Sequence, residues 1–314
     1  MRGLFAGLLF VLATQVHAWP DRPVKIIVPF APGGSADTLG RLVAQKLAEQ
    51  LKASFVVENR GGAGGAIGSD LAAKAPPDGH TLVVSGIASH VIAPALPQGT
   101  PYDPVRDFSH IALFGGPPAV LAVHPSVAAK DLREFVLLAK TKSMSYGSPG
   151  NGTQGQLVAE LFKRQAGIDL VHVPYKGASG AVTDLIAGHI PVVSTTLTTA
   201  ASQIRAGRAR GLAISAASRL ADFPDIPTYA EMGYPDLVAT VWFSLSGPPG
   251  MPAELVERLN AEVNRVLEAP DVRERLKPEG IVPSPMGANE FTAFVAEELR
   301  RWRPVVRASG AKND

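Results

Sequence analysis

Val24-Lys-Ile-Ile-Val28 runs directly into Pro29-Phe-Ala-Pro-Gly-Gly-Ser-Ala-Asp37, and a helix-like run follows from Leu39 to Leu51. A β-branched run, a glycine turn and a helix start, in that order, predict a strand-loop-helix unit. Glycines feeding a helix start leave backbone N–H groups unpaired beside the positive end of the helix dipole, an arrangement that suits an anion. The loop has no Lys or Arg, so backbone donors and hydroxyls would have to hold that anion.

The same alternation recurs along the chain and predicts an α/β protein with largely parallel sheets. Strands are expected at 24–30, 54–59, 81–86, 110–115, 119–124, 144–147, 170–174, 190–195, 209–215 and 239–246. Helices are expected at 36–51, 65–75, 131–142, 153–166, 179–188, 199–207, 252–269, 271–276 and 289–302. In the helix at 252–269, Leu255, Val256, Leu259, Val263, Val266 and Leu267 form one apolar stripe, which is packing rather than chemistry. Two Pro/Gly clusters, Leu96–Pro118 and Ser246–Gly250, bracket a central αβ block. That pattern suggests a lobe from the middle of the chain inserted into one built from both ends, with a hinge between them.

The first eighteen residues read as a cleaved secretory signal. Arg2 precedes an apolar run from Leu4 to Ala13, and Val16-His17-Ala18 is a small-x-small cleavage pattern. Removing 18 of the 314 residues leaves 296, with 29 basic against 28 acidic side chains, so long-range attraction favours neither nucleic acid nor an anionic membrane. The chain has no cysteine. That excludes disulfides, thiolate chemistry, Cys-ligated metals and an N-terminal lipid anchor.

Gly150, Gly152 and Gly155 satisfy G-x-G-x-x-G, but the next strand ends Val173-Pro-Tyr-Lys176, without the carboxylate that a dinucleotide's ribose needs. What survives is a second anion-suited loop, Ser148-Pro-Gly-Asn-Gly-Thr153. Gly61–Gly68 reads as a tight turn packing helix on sheet. Val173–Ser179 is a third strand-to-helix junction, where the Tyr175 ring and hydroxyl could close over a ligand or pack at a domain edge. Thr195, Thr196 and Thr198 add hydroxyls after another strand. Asp37 is read chiefly as a dipole partner that ties the glycine loop. The seven histidines show no metal-binding spacing and G-x-S-x-G is absent, so neither metal nor serine-hydrolase chemistry has a sequence warrant.

Five motifs in order, Trp19–Asp37, Tyr102–Phe108, Tyr146–Thr153, Val173–Gly177 and Phe223-Pro-Asp-Ile-Pro-Thr228, resemble the extracytoplasmic solute-binding proteins of tripartite tricarboxylate transporters, also called the Bug family. The resemblance implies a two-lobed periplasmic binding protein of type II-like arrangement. Each lobe would be a mainly parallel sheet flanked by helices, with the ligand cleft between lobes. It also implies a small carboxylate ligand held by the loops at 29–37 and 148–153, partly through water, and delivery to membrane permease subunits. The chain departs from the family pattern at Gln156, at Gly180 and in Val193–Thr196.

The expectations are therefore a signal peptide at 1–18, one lobe from 19–120 plus 247–314, and the other from 121–246. The protein would be a monomeric periplasmic receptor, not an enzyme, with no cofactor or metal. Its ligand-binding residues would be Phe30, Ala31, Gly33, Gly34, Ser35, Ala36, Asp37, Ser85, Ser89, Ser148, Asn151, Gly152, Thr153, Tyr175 and Thr195, with Trp242 near the ligand's far end. A secreted hydrolase acting on a carboxylated substrate is the alternative, and a nucleotide-dependent oxidoreductase a third reading.

Overall fold

The computed structural model describes residues 19–175, 177–238, 241–277 and 281–308. The expected signal segment, Lys176 of the third junction, and the first two residues of the strand expected at 239–246 lie outside the described residues.

The chain alternates strands and helices. Its first part runs β1 (Val24–Val28), α1 (Ser35–Leu51), β2 (Phe55–Asn59), α2 (Ala66–Ala73), β3 (Thr81–Gly86), α3 (Ala93–Ala95) and β4 (Ser109–Gly115). The middle runs β5 (Ala119–Val123), α4 (Leu132–Thr141), β6 (Met144–Ser148), α5 (Gln154–Ala166), β7 (Leu170–Pro174), α6 (Ala178–Ile186), β8 (Val192–Thr196), α7 (Leu197–Arg205) and β9 (Arg210–Ile214). The chain then returns through β10 (Phe243–Gly247) to α8 (Ala253–Glu268), α9 (Pro270–Leu276) and α10 (Ala288–Ala308). A helical turn at 88–92 leading into α3 was not anticipated from the sequence.

Two five-stranded sheets result, ordered β2-β1-β3-β10-β4 and β7-β6-β8-β5-β9. β1, β2 and β3 pair in parallel, while β10 pairs antiparallel with both β3 and β4. The second sheet repeats the design: β7, β6 and β8 are parallel, and β5 runs against β8 and β9. In each sheet four strands run one way, and the strand opposing them is the first one laid down after the chain crosses from the other half. Interior strands are buried on both faces, as helix-covered sheets require: β5 is buried along its whole length, and Val24, Ile26, Ile27 and Val28 of β1 are buried. Leu39, Leu42, Val43 and Leu47 of α1 present one buried stripe to the first sheet. In α8 the stripe is fully buried at Leu259, Val263, Val266 and Leu267 and half-buried at Leu255 and Val256.

The expected lobe boundaries, at 120/121 and 246/247, cut through β5 and β10. Hydrogen bonding keeps all of β5 in the second sheet and all of β10 in the first, so the crossings fall at 116–118 and ahead of Phe243. Pro and Gly density signals a tight turn without saying what the turn joins. Ser246–Gly250 is the turn from β10 to α8, within one half. The two crossing segments lie side by side: the Val241 N–H donates to the Pro117 carbonyl (3.0 Å), and the Ile87 N–H donates to the Trp242 carbonyl (3.2 Å). Gly116 permits this approach, because a Cβ there would overlap the Val241 carbonyl oxygen.

Candidate functional site

Between the two sheets lies a cleft of about 610 Å³. Its walls are the loops at the C-terminal ends of β1, β3, β6, β7 and β8, joined by Val241 of the second crossing and Phe243 at the start of β10. This is the edge of an α/β sheet where ligands settle. None of the described residues lining the cleft is Asp, Glu, Lys, Arg or His.

What the cleft offers instead is helix N-termini. α1, α5, α6 and α7 all begin at its wall, through Ser35 and Ala36, Gln154 and Gly155, Ala178 to Gly180, and Thr198 and Thr199 respectively. First-turn N–H groups lack intrahelical acceptors and carry the positive end of the helix dipole. Ser35, Thr38, Thr153, Ser179, Thr196, Thr198 and Thr199 add hydroxyls. Ser35 and Thr198, from opposite halves, meet across the cleft at 3.5 Å.

Both glycine loops are braced from behind. Asp37 Oδ2 accepts from the Gly33 N–H (2.9 Å) and Arg41 Nε (3.0 Å), while Asn59 Nδ2 donates to Asp37 Oδ1 (2.9 Å) and to the Phe30 carbonyl (3.1 Å). Burial pushes the Asp37 carboxyl up, but Arg41, Gly33 and Asn59 together hold it below the usual carboxylate range. In the second loop the Ser148 hydroxyl bonds His172 Nε2 (2.7 Å) and accepts from the Gly150 N–H (3.2 Å). Gln156 Oε1 accepts from the Gly152 N–H (2.7 Å), and its Nε2 meets His172 Nδ1 at 3.3 Å. The family departure at Gln156 thus shapes the turn.

Of the residues expected to meet a ligand, Phe30, Ala31, Gly33, Gly34, Ser35, Ala36 and Thr153 line the cleft. The others stand outside its lining. Asp37 and Ser148 are the braces just described, and Asn151 and Gly152 sit on the turn behind Thr153, Gly152 packing near Ile92 and Leu96. Ser85 is buried in the first sheet, bonded to Ser244 and Ser246 at 2.7 Å each. Ser89 is buried against His90, and Gly86, Ile87 and Ala88 face the cleft in place of both serines. The Tyr175 hydroxyl donates to Asp184 (2.6 Å), leaving Gly177 to Gly180 as that wall. Thr195 is buried on β8, because side chains alternate along a strand and it is Thr196 that faces the cleft. Trp242 donates its ring N–H to Glu298 (3.0 Å) and packs against Phe291 and Phe294 of α10.

The sequence reading missed Thr38, Gln154, Thr199, Val241 and Phe243. A helix beginning at 197 would have put Thr198 and Thr199 in one first turn, and Gln154 opens the helix that follows the second glycine loop. Nothing local marks Val241 or Phe243, which reach the cleft only because the crossing brings them there.

Residues 39–311 match the model of the tripartite tricarboxylate transporter family receptor. BugT of Bordetella pertussis is 34% identical, over 99% of this chain and 96% of that protein. Among solved structures, one described as a periplasmic transporter is 39% identical, with a TM-score of 0.87 over 95% of this chain and 100% of the other. Rpa4515 of R. palustris, solved with adipate, is 31% identical, with a TM-score of 0.87 over 94% of this chain and 99% of that one.

Proposed function

This chain belongs to the tripartite tricarboxylate transporter family of receptors, and from that premise we propose that it captures a small carboxylate in the periplasm and presents it to membrane permease subunits. It is a solute-binding receptor rather than an enzyme, since its relatives are receptors and transport binding proteins; the hydrolase alternative has no support. Among the described residues no helix is long and apolar enough to cross a membrane.

One observation carries the choice of ligand: a cleft without a charged side chain among the described residues of its lining, onto which four helix N-termini from both halves converge. Backbone amides replacing water around a carboxylate make charge-assisted bonds worth about 1.5–3 kcal/mol each. The adipate carried by Rpa4515 agrees with that chemistry. We further propose that the two halves act as lobes hinged at 116–118 and near 241, that the loops at 30–36 and 153–155 hold the carboxylate, and that the receptor works as a monomer.

The test is calorimetric titration with mono-, di- and tricarboxylates, with sugars and amines as controls. A carboxylate at 100 times its dissociation constant should stabilise the protein by about 2.7 kcal/mol and be recovered unchanged. If only the controls bound, the reading would be wrong.

A further inference from the structure

We propose that the Gln154 carboxamide reads a hydroxyl group on the ligand, so that the cleft prefers hydroxy-carboxylates to the matching acids that lack the hydroxyl. This rests on the reading of the cleft as a carboxylate site.

Gln154 is the first residue of α5 and lines the cleft, yet it is only 4% exposed. Both its Nε2 and its Oε1 are buried without a hydrogen-bond partner among the described residues. A buried amide with no protein partner calls for one from outside the protein, because leaving its donor and acceptor unpaired is costly. The start of α5 does not impose it. Gln156, two residues on and equally buried, spends its oxygen on the Gly152 N–H and its nitrogen on His172. Among the described residues lining the cleft, only Gln154 has both a buried side-chain donor and a buried side-chain acceptor without a protein partner.

Those two atoms specify the group that would complete them. A carboxylate only accepts, so it can satisfy Nε2 but repels Oε1. A carbonyl oxygen never donates, and Oε1 therefore requires an O–H or N–H from the ligand. An ammonium would enter a cleft with no carboxylate among the described residues of its wall and be desolvated without a counter-charge from the protein. A neutral hydroxyl near the carboxylate meets both demands, giving its proton to Oε1 while Nε2 donates to the carboxylate. Whichever of the two amide positions is oxygen, one acceptor and one donor stand together. The Ser and Thr hydroxyls around the cleft rotate to donate or accept and so tolerate either class of ligand. The amide cannot, and a site built to bond a hydroxyl rejects the analogue lacking it by leaving its own groups unpaired.

The experiment is titration calorimetry on matched pairs, malate against succinate and 2-hydroxyglutarate against glutarate, with methoxysuccinate as a probe that keeps the oxygen but cannot donate. The wild-type protein should bind at least one hydroxy acid tenfold or more tightly than its partner, with methoxysuccinate as weak as succinate. In Gln154→Met the ratio should fall below threefold, while the ligand-free melting temperature stays level or rises, since the unpaired amide is gone. Equal binding of both members of every pair by the wild type overturns the proposal whether or not the variant folds, and so does a ratio that survives the substitution. If no carboxylate of either kind binds, the failure lies with the carboxylate reading itself.

Discussion

At Gly34 the backbone has φ −88°, which any residue adopts, and an added Cβ would meet only the Ala31 carbonyl oxygen, at 4.0 Å. Its neighbour Gly33 has φ +84°, where a side chain costs roughly 1–2 kcal/mol. Gly34→Val should therefore fold, losing only the roughly 1 kcal/mol by which glycine outranks valine as the N-cap of α1, yet fill the wall of the cleft. Ligand-induced thermal stabilisation should disappear while the ligand-free melting temperature falls by only a few degrees; a variant that still bound would remove this loop from the site. That residues 30–36 share one stretch of the cleft wall follows from loop and helix start being contiguous in sequence. Ser85, Ser89 and Tyr175 stand outside the lining, because residue type does not tell which face of a strand or turn a side chain takes. Their hydroxyls are engaged with Ser244 and Ser246, His90, and Asp184.

Strands and helices came through at their centres, because apolar runs and amphipathic stripes are local. The partner of a strand is not local, and so β10 was assigned to the wrong half. Its crossing depends on Gly116: Gly116→Ala would force a Cβ into the Val241 carbonyl and should destabilise by about 3 kcal/mol or more, read as a fall in the urea midpoint at unchanged m-value. A second element-scale prediction concerns β4, whose His110 is buried against Phe291 and near His90 and Phe108. Burial pushes the His110 ring down to about 4, although its bond to the Pro104 carbonyl works the other way. His90, fully buried beside it, is also driven well below the ordinary histidine range, by burial first and by His110 second. Between about pH 6.5 and 4 the unfolded chain binds a proton that the folded one refuses, so stability should fall with pH across that window, by up to about 3 kcal/mol from His110. Urea midpoints from pH 7.5 to 4.5 should show it, and His110→Gln should flatten the slope. A wild-type profile level over that range would contradict the assignment.

Over the whole molecule, each half repeats one topology, and the two are joined by segments hydrogen-bonded to each other, so the closure proposed above would move both crossings together. The two-lobed plan was foreseeable from the alternation of elements and from the motif resemblance. The composition of the cleft was not, since it draws on loops separated by more than two hundred residues. That composition decides how the receptor meets its guest. With no ionic side chain among the described residues of its lining, the cleft draws an anion by helix dipoles, whose reach is short and which leave little for dissolved ions to screen. Affinity should vary by less than about threefold between 0.01 and 0.5 M NaCl, where guanidinium-gripped anions would weaken steeply. Capture by this receptor should therefore be nearly indifferent to the salinity of its surroundings.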